Sequence, residues 1–192
     1  MVSDSMAKAT SALMSKNLPL AEEVITFDEK IETVQHDLDA RIIDIIARQQ
    51  PVASDLRALV TALRMSADLE RMGDLAHHVA KVVRLRHPAA AVPDQLMSLI
   101  ESMGVTAEKI AAKTGVVIST RDTTLAAQVE KDDDEMDLLH RQLIGVLIAP
   151  TWEHGVETAI DLTLLGRYYE RYADHAVSVA RRVIFLVTGK FA

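Results

Sequence analysis

The feature that most constrains this chain is an internal repeat of an acidic helical motif. The pattern acid-Arg-x-x-Asp-x-Ala occurs at residues 70–76 and again at residues 170–176, a displacement of 170 − 70 = 100 residues. Around both copies, apolar residues recur at alternating spacings of three and four, which is typical of a helix with one core-facing side. The two patterns align without a gap. The chain is therefore predicted to be a duplicated helical domain.

A second repeat precedes the first. Asp28 and Glu32 correspond to Asp133 and Asp137, a displacement of 133 − 28 = 105 residues, and apolar positions around them correspond as well. The five-residue difference between the two displacements must fall between helices, where extra length costs little free energy. Each copy therefore contains at least two helices that carry acidic residues at equivalent places.

Caps, prolines and apolar spacing together predict six helices and no strand. Asn17 and Asp122 are good N-cap residues, and Pro19 fits the first turn of a helix that starts at Asn17. The predicted helices cover roughly residues 3–16, 17–49, 51–86, 93–119, 122–148 and 151–187. The first of them is short beside the fourth.

The fold class predicted from this pattern is all-α, with two tandem three-helix bundles of the up-and-down kind. Residues 1–87 form the first three-helix repeat and residues 94–192 the second. Residues 88–93, where two prolines interrupt the helical pattern, form the linker. A chain of 192 residues is long enough for one substantial core or for two small ones, and the sequence leaves both arrangements open.

Composition narrows the class of protein. A net charge of −7 argues against a nucleic-acid partner, because such proteins present basic faces. The absence of cysteine excludes disulfides, thiol catalysis and thiolate metal sites. The sequence has no apolar run of the roughly 18 to 20 residues that a membrane span needs, so we expect no membrane insertion and a cytoplasmic location.

The acidic residues are the candidate site. In each copy two helices carry acid-x-x-x-acid pairs on the edge of a core-facing surface, where like charges cost about 0.2 to 0.5 kcal/mol per pair and partial burial costs more. A positive charge is expected to compensate them. The eight candidate metal ligands are Asp28, Glu32, Glu70, Asp74, Asp133, Asp137, Glu170 and Asp174. Oxygen ligands of this kind suit magnesium, manganese, calcium or iron.

The compensating charge could equally come from the protein itself. Six basic residues lie where they could pair with these acids across helices: Lys30, Arg71, Lys81, Arg167, Arg171 and Arg181. For one isolated acid pair such ion pairs are the commoner explanation. Because four pairs occupy equivalent places, the sequence does not decide between ion-pair networks and cation sites.

A carboxylate-bridged di-iron bundle is the alternative interpretation. Two Asp-x-x-His pairs, ending at His77 and His140, have the spacing that such iron oxidation or storage proteins use. These histidines correspond to Val177 and Gln35 in the other copy, so neither belongs to the duplicated pattern. We therefore interpret each as exposed or hydrogen-bonded. The sequence has no glycine-rich phosphate loop, G-x-S-x-G or H-E-x-x-H motif, and we assign no catalytic or cofactor-binding residue.

The motifs resemble those of a known family. The segment 51–57 (Pro-Val-Ala-Ser-Asp-Leu-Arg), followed by 68–76 (Asp-Leu-Glu-Arg-Met-Gly-Asp-Leu-Ala), resembles the signature of the PhoU family of bacterial phosphate-signalling regulators. Residues 169–176 are similar to that family's second repeat, and the resemblance covers nearly the whole chain. The alanine-rich and arginine-rich composition suggests an actinobacterial member. Each copy departs once from the family motif. The second copy has Ala173 where the first has the usual Gly73, and the first copy has Leu75 where the second has His175.

The resemblance implies an accessory protein and not an enzyme. PhoU-like proteins act as negative regulators of phosphate uptake and of the phosphate-starvation response. They link the ATPase of the phosphate-specific ABC transporter to a sensor histidine kinase, and they are often homodimers. Some carry multinuclear sites for iron or another divalent metal on their Glu/Asp-x-x-x-Asp motifs. In this sequence those motifs correspond to Glu70, Asp74, Glu170 and Asp174, with the acids of the preceding helices facing them.

Overall fold

Six α-helices make up the fold. The computed structural model describes residues 1–190, and within them the chain forms no strand. The helices are α1 Val2–Ser15, α2 Leu18–Gln49, α3 Ala53–Arg86, α4 Met97–Thr120, α5 Thr123–Leu147 and α6 Gly155–Thr188. A short 3-10 turn, Asp94–Leu96, precedes α4. The predicted all-α class and its two sets of three helices are confirmed.

Two helix starts follow the predicted caps. The side chain of Asn17 accepts a hydrogen bond from the backbone N–H of Leu20 at 3.0 Å. Asp122 accepts from the backbone N–H groups of Thr124 and Leu125 at 2.8 and 3.0 Å. These N–H groups have no partner inside the helix, so the caps satisfy them. The caps fix where α2 and α5 begin, and these helices carry one acid pair of each copy.

Three helices start later than the sequence predicted, and one of them is α4, which begins at Met97 and not at residue 93 because a 3-10 turn precedes it. Helix α3 begins at Ala53, where φ is 51°, and α6 begins at Gly155, where φ is 81°. Because positive φ lies outside the right-handed helical region, regular helix cannot extend back through these residues. Before α6 the chain makes a turn in which the indole N–H of Trp152 donates to the carbonyl of Gly155 at 2.8 Å. The predicted start of the sixth helix at Thr151 was therefore wrong by four residues.

The two bundles pack against each other through α3 and α6. Helices α1, α2 and α3 contact one another, as do α4, α5 and α6, and the bundles meet where α3 packs on α6 and α1 packs on α4. Asp68 contacts His175, whereas Arg86 contacts Asp161, so α3 and α6 run antiparallel. The helix order across the molecule is therefore α2, α3, α6, α5, and α1 and α4 cover the central pair.

A single hydrophobic core extends through both bundles. Its central side chains are fully buried and come from α3 and α6 alike: Met72, Ala76, Tyr172 and Ala176. Two tyrosine hydroxyls of α6 also reach the first helix of the other bundle, since Tyr169 hydrogen-bonds the Thr10 hydroxyl at 2.9 Å and Tyr172 donates to the Val2 carbonyl at 3.1 Å. The structure thus has one shared core and not two small ones.

The shared core predicts that Gly104→Ala destabilises the protein. A Cβ at Gly104 on α4 would lie 2.3 Å from Cγ2 and 2.7 Å from the hydroxyl oxygen of Thr10 on α1. Thr10 cannot turn away without losing its hydrogen bond to Tyr169. Overpacking of this kind costs about 1 to 3 kcal/mol, which exceeds the roughly 0.5 to 1 kcal/mol that alanine gains over glycine in a helix. Urea unfolding followed by circular dichroism measures the change.

Gly115→Ala is the matched control. Gly115 lies in the same helix, and a Cβ there would meet no atom within 4 Å. This substitution should raise the free energy of unfolding by about 0.5 to 1 kcal/mol. If both variants were stabilised equally, α1 and α4 would not be packed as closely as described here.

Candidate metal centre

The first set of acidic side chains comes together between α2 and α3. Asp28, Glu32 and Asp74 each offer a carboxylate oxygen, and these oxygens lie within 4.8 Å of one another. In the part of the chain that the structure describes, this is the only group of three acidic or histidine side chains that meets this distance. Glu70 lies one helical turn before Asp74 on α3. Burial raises the pKa of Glu70, and the nearby carboxylates, Asp74 foremost, raise it further against the opposing effect of Arg71.

Close approach of the two helices brings these carboxylates together. A Cβ at Gly73 would lie 3.0 Å from Cδ1 of Ile31 and 3.1 Å from a carboxylate oxygen of Asp28. The side chains of Ile31 and Asp28 would have to shift to admit a methyl group, so the missing side chain of Gly73 helps α2 to lie close to α3. Asp28 itself is buried, with 6% of its surface exposed.

Basic side chains neutralise only part of the negative charge of the first acid set. Arg71 donates to Asp74 at 2.6 Å and lies 3.7 Å from Glu70, whereas Asp28 is hydrogen-bonded at 2.5 Å to Nδ1 of His77. Glu32 has no ion pair within residues 1–190. The set therefore retains uncompensated negative charge around a buried carboxylate, which favours a cation.

His77 contacts the first set and is hydrogen-bonded, as the sequence analysis allowed, but its place beside these acids was not predicted. Its Nδ1 is hydrogen-bonded to Asp28, while its Nε2 is buried and has no partner in the structure. The Asp74-x-x-His77 spacing was visible in the sequence, but His77 was set aside because Val177 replaces it in the second copy. A one-sided feature of a duplicated fold can therefore still belong to the site.

The second set forms between α5 and α6. Burial raises the pKa of Asp133 to about 6, and the carboxylates of Asp137, Asp174, Glu170 and Asp134 add to this effect in that order. Such coupling requires these carboxylates to lie close together. The structure thus brings the four predicted acids of the second copy to one place, as it does in the first.

The negative charge of the second acid set is also only partly neutralised by basic side chains. Arg167 hydrogen-bonds Glu170, but Asp133, Asp137 and Asp174 have no ion pair among residues 1–190. Of the six basic residues considered from the sequence, only Arg71 and Arg167 contact the acid sets. Two of the others have different contacts: Arg181 binds Glu130, and Lys30 lies over the ring of Phe27.

The two sets differ in ways that the sequence indicated. Ala173 carries the methyl group that Gly73 lacks, in keeping with a second set whose oxygens are more widely spaced than those of the first. His175, which follows the second motif aspartate, hydrogen-bonds Asp68 of the other bundle at 3.0 Å. It therefore links the bundles and does not join the second acid set through this contact.

These features define a class of protein: a tandem-repeat helical protein that presents two carboxylate-rich grooves at equivalent places. Residues 1–83 and 100–183 each match the PhoU domain, so the chain belongs to the PhoU family. The recognition made from the sequence motifs is confirmed. No helix within residues 1–190 is both long and apolar enough to cross a membrane.

Curated relatives and a solved structure agree with this assignment. The chain is 48% identical over 186 residues to the phosphate-specific transport system accessory protein PhoU homolog 2 of Mycobacterium tuberculosis, covering 97% of this chain and 87% of the relative. It is also 48% identical to PhoU homolog 1 of Mycobacterium leprae, covering 97% and 84%. The crystal structure of PhoU from Pseudomonas aeruginosa is similar with a TM-score of 0.87 and 26% identity, covering 98% of this chain and 91% of that one.

The raised pKa of Asp133 predicts that Asp133→Asn stabilises the metal-free protein at neutral pH. A carboxyl whose pKa rises on folding, here from 3.8 to about 6, binds protons more tightly in the folded state. Folding stability therefore falls as pH rises from about 4 to about 6, and the loss is complete above that range. Removing the charge should raise the free energy of unfolding by about 1 to 2 kcal/mol at pH 7.5. A pKa change of this size corresponds to roughly 3 kcal/mol, but solvent screens the partly exposed site and reduces the effect.

Urea unfolding in the presence of a chelator, at pH 7.5 and pH 4.5, measures this effect. The gain should shrink at pH 4.5, where Asp133 is already protonated in the folded state. Asp37→Asn removes an exposed carboxylate that has no ion pair within residues 1–190, and it should change little at either pH. A gain that is equal in both variants, or independent of pH, would contradict the assignment.

Proposed function

We propose that this protein is a negative regulator of phosphate uptake and of the phosphate-starvation response. It would act as an adaptor between the ATPase of the phosphate-specific ABC transporter and a sensor histidine kinase. The observation that carries the proposal is membership of the PhoU family over both repeats, together with relatives that are named as accessory proteins of the phosphate-specific transport system. An adaptor of this kind is not an enzyme, works in the cytoplasm and forms a homodimer.

We further propose that the two acid sets hold divalent cations or iron. Asp28, Glu32, Glu70 and Asp74 would form one site. Asp133, Asp137, Glu170 and Asp174 would form the other. What supports this is the convergence of three carboxylates of the first set within 4.8 Å, the raised pKa of Asp133, and the few ion pairs that either set makes within residues 1–190. A bound cation would supply the missing positive charge and tie α2 to α3 or α5 to α6.

One observation favours the alternative of a di-iron protein for iron oxidation or storage. His77 lies beside the first acid set with a free Nε2. Against it, each acid set is drawn from two helices and not from the four that enclose a di-iron site. His140 packs against Gly166, one helical turn before Glu170, and has no ion pair among the described residues. A ferrous oxidation assay on iron-loaded protein separates the two functions, because only the di-iron protein would turn over.

The metal proposal predicts that Glu170→Ala combined with Asp174→Ala lowers the amount of bound divalent metal or iron. Helicity should change little, because these acids edge the core and do not fill it. The measurement is metal content by mass spectrometry of protein purified without chelator, with circular dichroism alongside. Glu101→Ala combined with Glu108→Ala removes the same charge from the exposed face of α4 and should leave the metal content unchanged. Equal metal content in all three proteins would rule the second site out.

The regulatory proposal predicts that deleting the gene leaves phosphate-scavenging genes expressed in phosphate-rich medium. The host must lack any sister copy that could take over, and the restored gene should silence expression again. Continued repression at high phosphate in such a host would refute the proposal. Transcript levels measured at high and low phosphate give the answer.

Reversing the charge of one surface residue tests whether repression depends on contact between this surface and a partner protein. Arg171 is exposed and has no ion pair within residues 1–190, whereas Arg71 bridges two carboxylates of the first set. Arg171→Glu should therefore weaken repression more than Arg171→Ala, since Arg171 neighbours the second acid set and a glutamate there adds repulsion. Arg41→Glu, an exposed position on α2, serves as the control. Similar repression in the glutamate and alanine variants would place the contact elsewhere.

A further inference from the structure

A cavity lined with arginine lies between the two bundles, outside both acid sets. It has a volume of about 200 Å³, opens to solvent and lies between the first turns of α3 and the last turns of α6. Its lining residues are Val60, Thr61, Arg64, Ser178, Arg181, Arg182 and Phe185. Three guanidinium groups and two hydroxyl groups therefore surround one small space. In a chain whose net charge is −7, such a concentration of positive charge needs an explanation.

The arginines of this cavity are only partly compensated. Arg182 donates through Nε to Asp68 at 2.7 Å, and Arg181 is hydrogen-bonded to Glu130. Arg64 has no carboxylate partner among residues 1–190. Since a guanidinium has five N–H donors, most donors of the three arginines remain available. The groups around the cavity thus carry a surplus of positive charge and of unused hydrogen-bond donors.

The hydroxyl of Thr61 is the second indication of a ligand. Thr61 is 3% exposed, lines the cavity and makes no side-chain hydrogen bond within the described part of the chain. Ser178 lines the same space and also makes no side-chain hydrogen bond there. Both hydroxyls therefore face the cavity and are free to donate to a polar ligand there.

The fold does not require a basic cavity at this place. With the displacement of 100 residues, Thr61 corresponds to Asp161 and Arg64 to Leu164. Asp161 is buried and accepts two hydrogen bonds from Arg86, at Nε and Nη2. The equivalent end of the other repeat is therefore neutralised within the protein. Only the cavity end combines a threonine with arginines that are not fully paired.

We propose that this cavity binds a tetrahedral oxyanion of the phosphate type. Arg64, Arg181 and Arg182 would provide charge-assisted hydrogen bonds, and the hydroxyls of Thr61 and Ser178 would donate two more. Its volume is below the roughly 300 to 1,000 Å³ of sites for larger ligands, so it suits a small anion with a few waters. The anion is either free inorganic phosphate or the phosphate group of a small organic phosphate. The inference does not rest on the regulatory role proposed above.

Isothermal titration calorimetry on the full chain tests the proposal. The protein is first treated with chelator, so that metal at the acid sets cannot hold the anion, and the buffer contains neither phosphate nor sulfate. Inorganic phosphate, sulfate and glucose 6-phosphate are the three probes. Saturable binding of inorganic phosphate identifies the free ion as a ligand. Saturable binding of glucose 6-phosphate alone identifies an organic phosphate. Absence of saturable binding for all three probes overturns the proposal.

Two variants and a control locate the binding. Arg64→Gln should weaken binding about tenfold or more, the effect of losing one charge-assisted hydrogen bond. Thr61→Val keeps the side-chain shape and should weaken binding while leaving thermal stability nearly unchanged, because its hydroxyl has no partner in the protein. Arg141→Gln removes an exposed arginine of α5 and should have no effect. Equal weakening by Arg64→Gln and Arg141→Gln would show a general surface-charge effect and refute the site.

Discussion

The packing of α3 against α6 is the contact on which the rest of the structure depends. The side chains that are fully buried along this contact include Met72, Ala76, Tyr172 and Ala176. Burial of a large apolar side chain such as that of Met72 contributes about 1.5 to 3 kcal/mol to folding. Helices α2 and α5 then pack on the outer sides of this pair, and the acid sets occupy the two grooves that result. The distance between α2 and α3, and therefore between the first carboxylates, follows from the central pair and from Gly73.

This arrangement explains how the fold tolerates grouped carboxylates. Each repulsive pair along a helix costs only some tenths of a kcal/mol, and burial adds to the cost, as the raised pKa values of Glu70 and Asp133 indicate. The continuous apolar core supplies a larger stabilisation than these penalties remove. The fold therefore tolerates electrostatic repulsion at the two grooves.

Much of this structure could be predicted from the sequence, because helical spacing and duplication are local and repeated signals. The caps at Asn17 and Asp122, the six helices and the grouping of each acid set followed from them. The late starts of α3 and α6 did not, since they depend on positive φ values at Ala53 and Gly155. Contacts between the bundles were also missed, including Asp68 with His175, because they depend on how α3 and α6 are aligned and no pattern within one helix encodes that.

The shared core has a consequence for how the two repeats can change in sequence. A residue of α3 that faces α6 packs against the other repeat, so a change of size there must be matched on the opposite helix. At the ends of α3 and α6 the matched residues are not equivalent ones, because the start of each helix packs against the end of the other. The two ends of the central pair therefore differ: one carries a closed ion pair of Arg86 and Asp161, and the other an open basic cavity at Arg64.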